Sequence, residues 1–162
     1  MAESICDTSP LQYLHQLRLL HVLRELFGGI IIPPAVVEEL AEGKRRGIDL
    51  PDIGVLDWVS VREPRSIAAL PLASNLGAGE AEVLMLALES DDAIVIIDDL
   101  LARGTASALD VQVKGTLGIL LDAKRRGLIE AVKPHLDRLQ ELNFRLAPQT
   151  RVAVLDLADE GE

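Results

Sequence analysis

Four carboxylates stand where a parallel α/β chain gathers its chemistry. Asp7 closes the short apolar run Ser4-Ile5-Cys6, and Asp98 follows Ala93-Ile94-Val95-Ile96-Ile97. Side chains just past two such strands emerge at the same edge of a parallel sheet, the edge where ligands bind in open α/β folds. If those strands are neighbours, spaced about 4.8 Å, the two carboxylates can share a cation. Glu39 lies in a helix just after Ile30-Ile31-Ile32, and Glu80 lies in the first turn of the helix opened by Gly77-Ala78-Gly79. Helix starts lie near the same edge. Four acids converging there repel one another unless hard cations are present, and Mg²⁺ and Mn²⁺ take oxygen ligands of this kind. Two such ions about 3.5–4 Å apart can activate a water and stabilise the leaving oxygen in phosphodiester cleavage.

Each acid also has a plainer use. Asp7 can make a local turn with Thr8 or Ser9. Either Asp98 or Asp99 can cap the following helix; Asp98 is taken as the functional member and Asp99 as the cap or a support. Glu80 and Glu82 suit a helix N-terminus through the macrodipole. Glu38, Glu39 and Glu42 suit a solvated helix face. The combination of positions raises the site above these readings. Arg103, one turn past Asp99, is placed to contact a phosphate, and Thr116 is an N-cap able to face the site. Both Lys-Arg-Arg-Gly runs, ending at Gly47 and Gly127, read first as helix C-termini with glycine caps, and second as phosphate contacts. Gly77-x-Gly79 is no phosphate loop, because no Gly-Lys-Ser/Thr follows. His15, His21 and His135 lack metal-ligand spacing. Cys6 reads as a small buried residue with no partner base.

The elements that must position these residues are legible in order. Pro10 marks a helix start with Ser9 as cap, and leucines from Leu11 to Leu26 recur at helical spacing, in two short helices ended by Gly28-Gly29. The strand Ile30–Ile32 and a helix from about Ala35 follow. Positions 48–75 read as connection, with a strand-like Trp58-Val59-Ser60-Val61 inside. A helix through Leu88, the strand ending at Ile97, a helix over 99–109, the strand Val111–Lys114, a helix from Thr116 and a helix over 130–142 complete the pattern. A last short helix is expected to fray into an acidic tail. Strands alternating with helices predict a three-layer α/β/α sandwich with a mainly parallel sheet. One domain is expected over residues 1–155, with the tail at 156–162.

Composition bounds the rest. The 162 residues are 49% hydrophobic but only 2% aromatic, so the core is aliphatic. No run is long and apolar enough to span a bilayer, so no membrane partner is expected. The N-terminus lacks a signal peptide's basic and apolar regions. A single cysteine excludes an internal disulfide. These point to the cytoplasm. The net charge of −10 argues against a general nucleic-acid binder, although acids held around cations, and those of the tail, soften that argument.

Five stretches together resemble a known family. They are Asp7-Thr8-Ser9-Pro10-Leu11, Pro33 to Leu40, Leu76 to Glu82, Ile97 to Arg103, and Gly115-Thr116-Leu117-Gly118. In this order, across nearly the whole chain, they are similar to the PIN-domain superfamily, in particular to bacterial and archaeal nucleic-acid-binding members related to VapBC-type toxins. The resemblance implies a Rossmann-like sheet and a metal-dependent endoribonuclease using Mg²⁺ or Mn²⁺. Asp7, Glu39, Glu80 and Asp98 match its acidic positions, with Asp99 in support and Arg103 and Thr116 toward the RNA substrate. Glu80 stands where many members carry aspartate. The resemblance also implies a possible small antitoxin that blocks the acidic cleft, and a homodimer built on the Leu11–Leu26 helices. The alternative is a catalytically weak or inactive binding module that keeps the fold, which the acidic surface and Glu80 favour. A phosphotransfer receiver ranks last, since Asp7 has no second acid beside it.

Overall fold

The computed structural model describes residues 2–65 and 76–161. In chain order the elements are β1 (Glu3–Cys6), α1 (Thr8–Gln16), α2 (His21–Phe27), β2 (Ile30–Ile32), α3 (Pro34–Arg45), a 3₁₀ turn (Ile53–Val55), β3 (Val59–Val61), α4 (Ala78–Leu88), β4 (Ala93–Ile96), α5 (Leu100–Ala108), β5 (Gln112–Lys114), α6 (Thr116–Arg125), α7 (Lys133–Glu141) and α8 (Pro148–Leu157). The later part of the expected 48–75 connection, Pro71 included, lies outside the described residues.

All strand pairs are parallel, in the order β3-β2-β1-β4-β5. The chain therefore runs from β1 toward one edge, then returns to place β4 on the other side of β1. That reversal is a topological switch point, where the loops after neighbouring strands part and leave a crevice. Four paired positions lock β1 to β4, ending with Cys6 opposite Ile96. Because β-branched side chains pack well on a pleated surface, Ile5, Ile30, Ile32, Val95, Ile96 and Ile97 fill the middle layer at 0–1% exposure. Helices cover the sheet in two groups: α3, α4 and α5 pack together, and α1 and α2 pack against α6, which also meets α8. This is the expected three-layer α/β/α sandwich.

Most helix ends use one device. A residue in the left-handed region follows the helix, and its N–H and that of the next residue return to the helix's last carbonyls. Gly47 and Gly127 do this after the two Lys-Arg-Arg runs, at φ +83° and +74°. Arg45 and Arg46 bond Glu42 and Arg125 bonds Asp122 at their own helix ends, while Arg126 reaches the Glu25 carbonyl of α2. Non-glycine residues serve at Arg18, Asp110, Asn143 and Asp159, all with positive φ.

Several boundaries differ from the sequence expectation. Helix α1 begins at Thr8, so Asp7 rather than Ser9 is the cap residue, and its side chain makes no capping bond. Helix α7 begins at Lys133, not near residue 130, because Pro134 has no N–H to continue a helix from upstream and fits only in the first turn. The segment after residue 155 is not a free acidic tail. Ala158 is buried, and Glu160 accepts from the N–H groups of Val132 at 2.7 Å and Lys133 at 3.0 Å while pairing with Lys124 at 3.0 Å. Glu160 thus satisfies the otherwise orphaned donors that open α7. Glu160→Ala is expected to cost about 1 kcal/mol, read as a lower urea midpoint with an unchanged slope.

Along the Leu11–Leu26 helices, Leu11, Leu14, Val22 and Leu23 have no exposure and Leu17 has 8%, while Leu20 and Leu26 are half-buried. The first five belong to the core of this chain, covered by its own sheet and helices. No helix among the described residues is long and apolar enough to cross a membrane.

Candidate metal centre and cleft

The ladder continues one residue past β1 and past β4. The Asp7 N–H donates to the Ile96 carbonyl at 3.0 Å, and the Ile97 N–H donates to that of Lys114 at 3.0 Å. Asp7 and Asp98 therefore leave neighbouring strands at the switch point, side by side. Helices α3 and α4 bring Glu39 and Glu80 to the same end.

Asp7 is the buried centre, at 6% exposure. Its Oδ1 is buried without a hydrogen-bond partner. Burial is the main reason its carboxyl is pushed up to about 7; a hydrogen bond from the Thr8 backbone opposes this, and the charges of Glu80, Glu39 and Asp98 add to it. Glu80 is likewise raised, first by burial and then by Asp99 and Glu39, against the bond it accepts from Gly77.

The other acids are held in place by named donors. Glu39 accepts from the Thr8 hydroxyl at 2.5 Å and from the Gly79 N–H at 3.1 Å, tying the end of β1 to the start of α4. Glu80 folds back to the Gly77 N–H at 2.9 Å, as a glutamate in the first turn of a helix commonly does. Asp98 accepts from both the N–H and the hydroxyl of Thr116 at 2.7 Å, and from the Ser9 hydroxyl at 3.1 Å. Asp99 accepts from the Ala102 N–H at 2.9 Å and caps α5, so the acidic pair divides between site and cap. Two glycines make room. A Cβ on Gly79 would fall 2.6 Å from Glu39 Oε1 and 3.0 Å from Asp7 Oδ1, and one on Gly115 would fall 3.0 Å from both Asp98 Oδ1 and Arg103 Nη1.

A cleft of about 670 Å³ opens over these groups. Asp7, Glu80, Asp98, Asp99 and Arg103 line it, with Ser9, Tyr13, Phe144 and Arg145 on its walls. Glu39 is not on the lining; it stands behind Asp7 as a brace. Thr116 needs correction as a substrate contact. It is fully buried, the N-cap of α6 is Gly115, and its hydroxyl is spent on Asp98. Ser9, Tyr13, Phe144 and Arg145 were not picked out from sequence. The scarcity of aromatics was the signal for two of them, since the cleft holds two of the four (one Trp, one Tyr, two Phe).

The donors suit a hard divalent cation. They are carboxylate oxygens, and the unpartnered Asp7 Oδ1 is a buried acceptor in want of a positive partner. No three such side chains among the described residues form a ready cage. Glu39, Glu80 and Asp98 each spend oxygens on neighbouring N–H or O–H groups. That is compatible with Mg²⁺, which is usually held by one or two carboxylates and keeps sites for water and phosphate.

An open parallel sheet with an acidic centre at its switch point defines the class: an α/β protein whose candidate site lies at the carboxyl ends of its strands. A sequence-family model of the PIN domain matches residues 3–160, and the chain belongs to that family. PIN domains form a nuclease superfamily that typically uses divalent metals. The fold is similar to that of a PilT N-terminus domain protein from the hyperthermophilic archaeon Sulfolobus solfataricus P2, at 23% identity and TM-score 0.55, covering 74% of this chain and 92% of that one. No curated protein matches the chain.

Proposed function

We propose that this PIN domain is a divalent-cation-dependent endoribonuclease. The observation that carries the reading is the orphaned, buried Asp7 Oδ1 among three further carboxylates, at the floor of an open cleft. Asp7, Glu80 and Asp98 would hold the cation, with Glu39 and Asp99 in support. When bound, Mg²⁺ or Mn²⁺ supplies Lewis acidity toward phosphate and water. The chain's own groups do the rest. Thr116 and Ser9 fix the Asp98 carboxylate by three hydrogen bonds, Glu39 keeps α4 against the end of β1, and Arg103 on the cleft wall takes a phosphate oxygen. Phosphate contacts of this sort position the strand without reading its sequence.

The test compares cleavage of an RNA panel by wild type and Asp98→Asn, with Mn²⁺ and with EDTA. Cleavage should require metal and fall at least about 100-fold in the variant, because the lost interaction is one of transition-state charge. Equal cleavage by both proteins overturns the assignment. A toxin role would add a small antitoxin that places a Lys or Arg among Asp7, Glu80 and Asp98; the reading frame beside this one is the place to look.

One observation favours a second reading, a binding module without catalysis. Glu80 already serves its own helix start, and Glu39 has both oxygens engaged. Absence of calorimetric heat with millimolar Mn²⁺ would decide for it.

A further inference from the structure

Phe144 reaches the cleft through a specific turn. Asn143 ends α7 at φ +67°, its N–H returning to Gln140 and that of Phe144 to Leu139. Asparagine is among the few residues that accept this conformation cheaply. The reversal sets the Phe144 ring edge-on to Tyr13 of α1, with centroids 4.9 Å apart and planes at 88°. Both rings are half-buried and both line the cleft that holds the acids. The fully buried core is aliphatic, and these two rings stand at its edge, against the cleft. The next residue, Arg145, also lines the cleft, is exposed, and pairs with no acid among the described residues.

We propose that Tyr13, Phe144 and Arg145 form a subsite for one unstacked nucleobase. The inference rests on the reading that the cleft takes RNA, and it assigns the specificity element of that site. An aromatic face substitutes for the stacking a base loses when it leaves its neighbours, and an arginine beside it adds a cationic plane and a phosphate contact. The wall and the carboxylates share one cleft, so a base seated there brings its backbone into that cleft. A base inside a duplex has both faces covered by its stacked neighbours, so the subsite selects unpaired, unstacked positions.

The experiment titrates the full chain in EDTA with 2-aminopurine riboside and with a short oligoribonucleotide carrying one 2-aminopurine. Stacking quenches the probe and needs no catalysis. The riboside should be quenched saturably. Tyr13→Leu and Phe144→Leu should weaken its binding roughly 5- to 150-fold, while Phe144→Tyr retains it. Arg145→Gln should weaken the oligonucleotide more than the riboside. Absence of quenching by the wild-type chain overturns the subsite, as does riboside affinity equal to wild type in both leucine variants. If either leucine variant fails to fold, the wild-type titration and Arg145→Gln, which must lower oligonucleotide affinity, still decide. RNA cleavage is scored separately. Cleavage without quenching removes the subsite alone, and quenching without cleavage removes the nuclease reading alone.

Discussion

Asp7→Asn will melt higher than the wild-type chain at pH 8 and will cleave RNA at least about 100-fold more slowly. The two effects share one cause. In the metal-free chain the Asp7 carboxyl titrates at about 7 rather than 3.8, because it is buried and surrounded by Glu80, Glu39 and Asp98. A folded value above the unfolded one means the protonated form stabilises the native state. That contribution is complete below the unfolded value of 3.8 and is lost as pH rises through about 7. The full difference is on the order of 4 kcal/mol, or roughly 10 °C in melting temperature for a chain of this size. Asparagine is neutral at every pH, and its amide can donate where Asp7 has no partner. The variant should therefore gain over wild type at pH 8 and lose that advantage near pH 4, in EDTA, by differential scanning calorimetry. Mn²⁺ at pH 8 should raise the wild-type midpoint and leave that of the variant nearly unmoved. A variant less stable than wild type at both pH values would instead make the Asp7 carboxylate a structural partner.

Gly79→Ala is expected to lose the usual gain of a glycine-to-alanine change in a helix. Alanine in place of glycine ordinarily gains about 1 kcal/mol in a helix. Here the added methyl would lie 2.6 and 2.9 Å from the two Glu39 oxygens and 3.0 Å from Asp7 Oδ1. Glu39 must swing away and surrender its bonds from Thr8 and Gly79. Its end is flexible, so the propensity gain is offset by lost hydrogen bonds and the melting temperature changes little. The acidic centre does not escape so easily. Displacing a carboxylate that braces a metal ligand is worth 10- to 100-fold in affinity or activity, and Mn²⁺ calorimetry and RNA cleavage should both fall by about that factor. Adding Glu39→Ala should remove most of the further penalty, since the two sites share one contact. Gly104→Ala is the control. Its Cβ meets nothing within 4 Å, so it should gain stability and cleave normally. Unchanged Mn²⁺ affinity in Gly79→Ala would separate Glu39 from the metal centre.

The sequence by itself determined the elements and their class. Hydrophobic runs at Ile30–Ile32 and Ala93–Ile97, leucines at helical spacing, and the two Lys-Arg-Arg-Gly stops are local signals, because periodicity and turn chemistry act over a few residues. The acids were legible for the same reason: Asp7 and Asp98 end buried strands, and such strands present their ends at one edge. What a residue does with its oxygens was not local. Only the tertiary structure set β1 beside β4, so that Thr116 is consumed by Asp98, Glu39 becomes a brace behind Asp7, and Glu160 opens α7 instead of trailing in solvent. The cleft wall belongs to the same category. Tyr13 and Phe144 lie 131 positions apart. Nothing in either neighbourhood marks them as partners, since their contact comes from α1 packing beside the turn after α7. Spacing along a chain selects which groups reach an edge; long-range packing decides which atoms remain free there to bind.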